Sequence, residues 1–244
     1  MGIKSKMKLK PWLTLLKKES AFYWHSPLAY LSLALLLLAL NWLYWSNFYL
    51  INQASMYYFF QNVPLVFVLF IPALTMSAFS EERRSKTLEV LQTLPLTVRQ
   101  IVGAKFAAAF LILLGGLVLT LGLPLTLGLL ARPEWGPVVA GYAGTLLLAA
   151  SLISIGLYFS TLTSSPLVSF LLSTALIFFL FLSGSQFLLD RLPFLLRPFF
   201  QTISFVPHFQ RFTRGIVDLI DLVYFFSLTL FFFLLSEEKL KIKQ

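Results

Sequence analysis

Long uncharged apolar runs alternate along this chain with short charged ones. Residues 27–80 contain no Asp, Glu, Lys or Arg, and neither do residues 106–131. Crossing about 30 Å of hydrocarbon takes about 20 helical residues. Six runs meet that length: residues 28–46, 57–79, 101–130, 138–161, 167–189 and 217–235. Each is continuous and Leu-rich without in/out alternation, so the pattern predicts transmembrane helices and excludes barrel strands. The expected fold is an all-α polytopic membrane protein whose single transmembrane domain fills residues 1–244.

The segments between the runs carry their own patterns. In residues 8–24, Leu9, Trp12, Leu13, Leu15, Leu16, Ala21, Phe22 and Tyr23 alternate with Lys8, Lys10, Lys17, Lys18 and Glu19, which fits an amphipathic interfacial helix ending before Ser26-Pro27 or an ordinary basic juxtamembrane flank, with the same topology either way. Residues 81–95 form a second amphipathic stretch. Read as a helix, it places Leu88, Leu91 and Gln92 on one face and Arg84, Lys86 and Glu89 elsewhere; Leu94-Pro95-Leu96-Thr97 ends it. Residues 161–166 are too few to be more than a tight turn. Residues 190–215 hold Pro193, Pro198 and Pro207 among aromatics and arginines, so they predict one or two short helices at the headgroup boundary. Within the runs, Gly141 and Gly144 offer small packing surfaces, and Pro64, Pro72 and Pro124 are candidate hinges.

Composition agrees with the pattern: 58% of residues are hydrophobic, 12% are charged and the mean hydropathy is +0.83, values foreign to soluble domains. The first apolar run is too long for a signal h-region and lacks an Ala-x-Ala site, so no cleavable signal is expected. With no cysteine, disulfides, thiolate metal sites and cysteine nucleophiles are excluded. Fourteen of the nineteen Lys and Arg flank the first run, separate the second from the third or follow the sixth. That asymmetry predicts that both termini are cytoplasmic. The net charge of +9 is then a topology signal and an attraction to anionic lipid, with no nucleic acid implied.

Chemistry-bearing motifs are few. There is no G-x-x-x-x-G-K-[ST], G-x-S-x-G or H-E-x-x-H segment. The two histidines, His25 and His208, fall on opposite sides of the expected topology and cannot share a metal. Asp218 and Asp221 lie at i and i+3 on the first turn of the sixth helix. Arg214 stands four residues before Asp218, so a cap with an ion pair is expected. The alternative is that the two carboxylates face a cavity or a partner. Asp190 and Glu134 are expected to be solvated.

One segment carries a resemblance. Glu81-Glu82-Arg83-Arg84-Ser85-Lys86-Thr87-Leu88-Glu89-Val90-Leu91, followed by Thr93-Leu94-Pro95-Leu96 and Ile101-Val102-Gly103-Ala104-Lys105, resembles the coupling region of ABC-2-type transporter permeases. The resemblance implies that Glu82, Arg83, Arg84, Thr87, Leu88, Glu89, Leu91 and Pro95 couple this chain to a cytoplasmic ATPase, with Leu88 and Leu91 in an apolar groove and Arg84 and Glu89 at its rim. The chain itself would be no enzyme. Two copies of a partner ATPase would bind ATP and Mg, and a second permease, a copy of this chain or a distinct membrane subunit with a large extracytoplasmic domain, would complete the assembly. Residues 208–225 are similar to the gliding-motility-associated permeases of the Gld F-subunit type.

The function so implied is ATP-driven export or movement of a substrate. Polar residues are sparse and sit mainly towards the outer half of the runs, including Asn41, Asn62, Ser183, Ser185 and Gln186. They are compatible with a lipid, lipid-linked or hydrophobic cargo. Two other classes stand beside this one: a non-transporting mechanotransmission module acting on an extracytoplasmic protein through residues 190–215, and a lipid-acting membrane enzyme. The enzyme would require Asp190, His208, Asp218 and Asp221 to gather around a metal.

Overall fold

The computed structural model describes residues 2–25, 27–51, 55–88, 96–130, 134–191 and 193–241. Among them the chain is helical without strands. The helices are α1 (Gly2–His25), α2 (Pro27–Ile51), α3 (Tyr57–Thr75), α4 (Ser77–Arg84), α5 (Val98–Thr120), α6 (Gly122–Leu130), α7 (Trp135–Leu162), α8 (Pro166–Ser183), α9 (Gln186–Leu189), α10 (Arg197–Ile203), α11 (Phe205–Thr213) and α12 (Leu219–Lys241). Six stretches of the described residues are long and apolar enough to cross a membrane, matching the six expected runs.

Local chemistry sets the boundaries. Thr97 and Gln100 form a reciprocal capping box, with Gln100 N donating to Thr97 Oγ1 and Thr97 N to Gln100 Oε1. This starts α5 at Val98, three residues before the expected crossing. Pro166 opens α8 at a position where its missing N–H costs nothing. Three expected continuous crossings are broken: the second at Met76, the third at Leu121 and the fifth at Gly184. Met76 lies one turn beyond Pro72, and Leu121 directly precedes Gly122. Pro64, by contrast, stays inside α3 without breaking it.

α7 is the central post. It packs against α12, α3, α8, α11 and α4, and its glycines decide how closely. A Cβ on Gly141 would lie 2.5 Å from the Phe60 ring, one on Gly144 2.6 Å from Phe212 Cβ, and one on Gly156 2.0 Å from Thr75 Oγ1. The packing surface anticipated at Gly141 and Gly144 therefore exists and extends to Gly156. α2, α8 and α12 lie outside this centre and leave long side chains such as Leu38, Trp42, Leu167 and Phe226 exposed.

Candidate functional site

Two polar clusters interrupt the apolar bundle, one at each end. The first lies at the Lys/Arg-rich end, where α1, α4 and α5 meet. Lys105 Nζ, on α5, donates to Glu19 Oε2 of α1 at 3.0 Å and to Glu82 Oε1 of α4 at 2.8 Å. The lysine side chain is 3% exposed and those of Glu19 and Glu82 are 8% and 21% exposed. The Phe79 ring, with its centroid 5.1 Å from Nζ, closes one side. Two carboxylates thus share one ammonium, and the second oxygen of Glu82 is buried with no hydrogen-bond partner among the described residues.

The triad depends on how α1 sits. Leu15, Glu19 and Tyr23 form its buried stripe, while Leu13, Phe22 and Trp24 are exposed. Glu19 therefore belongs to the packed face, a correction to its placement among the polar residues of an interfacial helix. Tyr23 donates to the Leu74 carbonyl at 3.4 Å. Burial, reinforced by the negative charges of Glu19, Glu81 and Glu82, pushes its phenol pKa above the ordinary tyrosine range.

α4 is held from its other side by α7. Ser160 Oγ accepts from Phe79 N at 2.8 Å and Ser80 N at 3.1 Å, and donates to Met76 O at 3.2 Å. These are the backbone groups that the break at Met76 frees, so one hydroxyl from α7 replaces the missing rungs. Arg83 Nη1 donates to Leu162 O, a carbonyl left free at the end of α7, at 2.8 Å. Then Lys86 takes the left-handed conformation with φ 58° and stops the helix, assisted by the Ser85 hydroxyl on Glu81 O.

The expected coupling residues divide accordingly. Glu82 and Arg83 are engaged inside the chain, whereas Arg84 and Thr87 are exposed on the turn. Helical backbone resumes at Thr87 and Leu88. Leu88 is 9% exposed and joins this chain's own apolar core. Glu89, Leu91 and Pro95 lie outside the described residues.

At the opposite end α9, α10 and α11 form a cap, so the short helices expected in residues 190–215 are present. Ser204 joins α10 to α11; its hydroxyl donates to Leu180 O at 2.8 Å and accepts from Val206 N at 3.2 Å. Gly184 leaves it room, since a Cβ there would stand 2.4 Å from Ser204 Oγ. α11 buries Phe205, His208, Phe209 and Phe212. It ends at Gly215, φ 81°, with the paired Gly215 N to Phe212 O and Ile216 N to Arg211 O bonds of a Schellman turn.

Asp221 is wholly buried there. Its Oδ1 lies 2.7 Å from His208 Nδ1 and 3.4 Å from Arg211 Nη1, while Oδ2 has no partner among the described residues. Arg211 also reaches Asp218 Oδ2 at 3.2 Å, and the His208 ring stacks on Tyr224 with centroids 4.2 Å apart. The cation beside the two aspartates is thus Arg211 and not Arg214, which is exposed. Spacing misled here because Gly215 interrupts the helix between Arg214 and Asp218, and an i,i+4 pair needs continuous helix. Asp190 and Glu134 are exposed as expected. Among the described residues no group of three or more His, Cys, Asp or Glu is placed to hold a metal ion.

Two cavities accompany these clusters. A polar one of about 660 Å³ lies beside His208 and Arg211, between the end of α8 and the cap helices. An apolar one of about 900 Å³ lies between α2, α3 and α8, walled by Leu35, Leu36, Leu65, Leu69, Phe170 and Phe178.

No curated protein matches the chain. The family model of the ABC-2 family transporter proteins matches residues 30–236, which takes in all or nearly all of each of the six apolar stretches, the second polar cluster, and Glu82 and Lys105 of the first but not its Glu19. This chain belongs to the ABC-2 family of transporter membrane proteins.

Proposed function

We propose that this chain is the permease subunit of an ATP-binding cassette transporter in a bacterial inner membrane, with the Lys/Arg-rich end and both termini in the cytoplasm. Residues 81–95 dock on a separate ATPase, two copies of which bind ATP and Mg and drive the transporter, and a second permease completes the pathway. The observation that carries this reading is the attachment of α4. It is set off from α3 by the single-residue break at Met76. It is tied to α1 and α5 by the Glu19–Lys105–Glu82 triad and to α7 by Ser160 and Leu162. A pull on the exposed turn at Arg84–Thr87 therefore moves three helices through ionic and hydrogen-bonded links while α3 pivots at its break.

The division of labour differs from simple groove filling. Arg84, Lys86 and Thr87 present the exposed contact surface, Glu82 and Arg83 pass displacement inward, and Leu88 anchors the turn to the bundle. Glu89, Leu91 and Pro95 complete the docking surface. The likeness of residues 208–225 to gliding-motility-associated permeases supports a partner membrane subunit with a large extracytoplasmic domain. The test is affinity recovery of the tagged chain from its native membrane, with co-purifying proteins identified and ATPase activity measured. The proposal expects an ATP-binding subunit and vanadate-sensitive hydrolysis; a chain recovered alone, under conditions that preserve other membrane complexes, overturns it.

A further inference from the structure

We infer that the polar cavity beside His208 and Arg211 is a binding site for a hydroxyl-rich head group, a sugar, at the end of the bundle opposite the Lys/Arg-rich face. Its volume of about 660 Å³ lies within the usual range of small-molecule sites, about 300–1,000 Å³. Three carboxamides line it from three separate helices: Gln186 of α9, Gln201 of α10 and Gln210 of α11. Their side chains make no hydrogen bond to another described residue. Each amide offers two N–H donors and a carbonyl acceptor, and a sugar hydroxyl needs both kinds of partner.

The charge arrangement selects against a simple anion. Arg211 lines the cavity, yet Asp218 and Asp221 already stand against its Nη1. His208 is held by the same Asp221. The Arg211 guanidinium is thus matched by two carboxylates, one of them wholly buried, and offers no surplus positive charge to a phosphate or sulfate. Arg211 still has N–H groups beyond Nη1 to donate to neutral oxygens. Pro198, Val206 and Pro207 supply the apolar wall against which the C–H face of a sugar ring packs.

Rigidity completes the site. The Asp221 carboxylate, the Tyr224 ring and the Ser204 bond to Leu180 fix His208 and the α10–α11 junction before any ligand arrives, which limits the ordering cost of binding. Exposed Phe187, Phe194, Leu195 and Phe199 stand on the same cap, as apolar anchors for a membrane interface do. A sugar could come from a glycolipid or from a soluble saccharide, and the test separates them. This inference needs only the membrane-embedded chain, so its outcome is independent of any ATPase.

The chain is extracted in styrene–maleic acid particles, which avoids sugar-headed detergents. It is then presented with phosphatidylglycerol vesicles containing monoglucosyldiacylglycerol, or with soluble maltotriose. Native mass spectrometry counts retained ligand. Retention of the glycolipid in preference to phosphatidylglycerol supports the site with a membrane source; retention of maltotriose supports it with a soluble source. The variant Gln186→Leu/Gln201→Leu, at two exposed positions, is expected to lower retention about tenfold or more, the scale of two lost hydrogen bonds, with Tm unchanged. Equal retention by variant and wild type, a preference for phosphatidylglycerol, or no retention of either sugar overturns the inference.

Discussion

Replacing Lys105 by Met isolates the contribution of the buried triad. The lysine Nζ stands 3.0 Å from one carboxylate and 2.8 Å from another, each worth roughly 5 kcal/mol of Coulomb attraction at an effective dielectric of about 20 before desolvation. Much of that gain is cancelled by the cost of taking three charges out of water. Removing the cation alone is another matter, because two carboxylates are then left facing each other under cover. Breaking a buried pair costs about 3–5 kcal/mol. The lower figure applies here, since the Glu82 side chain is 21% exposed and one carboxylate can take up a proton.

A loss of about 3 kcal/mol in a chain of this length lowers Tm by about 6–12 °C, readable by thermal-stability size exclusion of the detergent-solubilised, fluorescently tagged protein. The triple variant Glu19→Gln/Lys105→Met/Glu82→Gln leaves no buried charge and is expected to recover most of that Tm. It should still fail to transmit motion, so its ATPase activity in the assembled complex should no longer respond to the permease. Lys105→Met with an unchanged Tm would show that the triad is not buried and paired as described. A triple variant with full coupling would show that the ionic link carries no force.

Other substitutions test separate joints of the same account. Gly156→Ala places a Cβ 2.0 Å from Thr75 Oγ1 and should cost about 1–3 kcal/mol. Thr75→Ala in that background should restore only part of the thermal stability, because Thr75 Cβ is itself within 2.9 Å. Ser160→Ala removes the acceptor for the Phe79 and Ser80 amides. A loss of about 1–3 kcal/mol is expected, with faster hydrogen exchange confined to residues 77–84. Lys86→Gly relieves a left-handed backbone at φ 58° and should raise stability by about 1 kcal/mol in the same thermal assay.

The crossings were legible because hydrocarbon imposes a length and a lack of charge that few other environments demand. Residues 138–161 fall wholly within the single helix α7 (Trp135–Leu162). The breaks were half legible: Pro72 and Gly122 mark where the second and third crossings weaken, but the stop at Met76 depends on Ser160 arriving from a distant helix. Glu19 was misplaced for a related reason. Among flanking lysines it reads as one more surface charge, and only the approach of α5 brings Lys105 to it. Asp221 was legible as a carboxylate on the first turn of the sixth helix that needs a cationic partner. Its partners were not, because His208 and Arg211 come from a short helix whose end at Gly215 resets the spacing.

The central claim is that the turn after α4 touches the ATPase and passes its motion inward. With no cysteine in the chain, Thr87→Cys creates a unique thiol at an exposed position of that turn. Cross-linking it in inverted membrane vesicles with a short bifunctional maleimide, with and without nucleotide, is the most direct measurement. The account predicts an adduct containing an ATP-binding subunit, with a yield that changes when nucleotide is added. Labelling of the introduced thiol by an impermeant maleimide from outside intact cells would contradict it, as would the absence of any adduct in a preparation where the ATPase co-purifies with the chain.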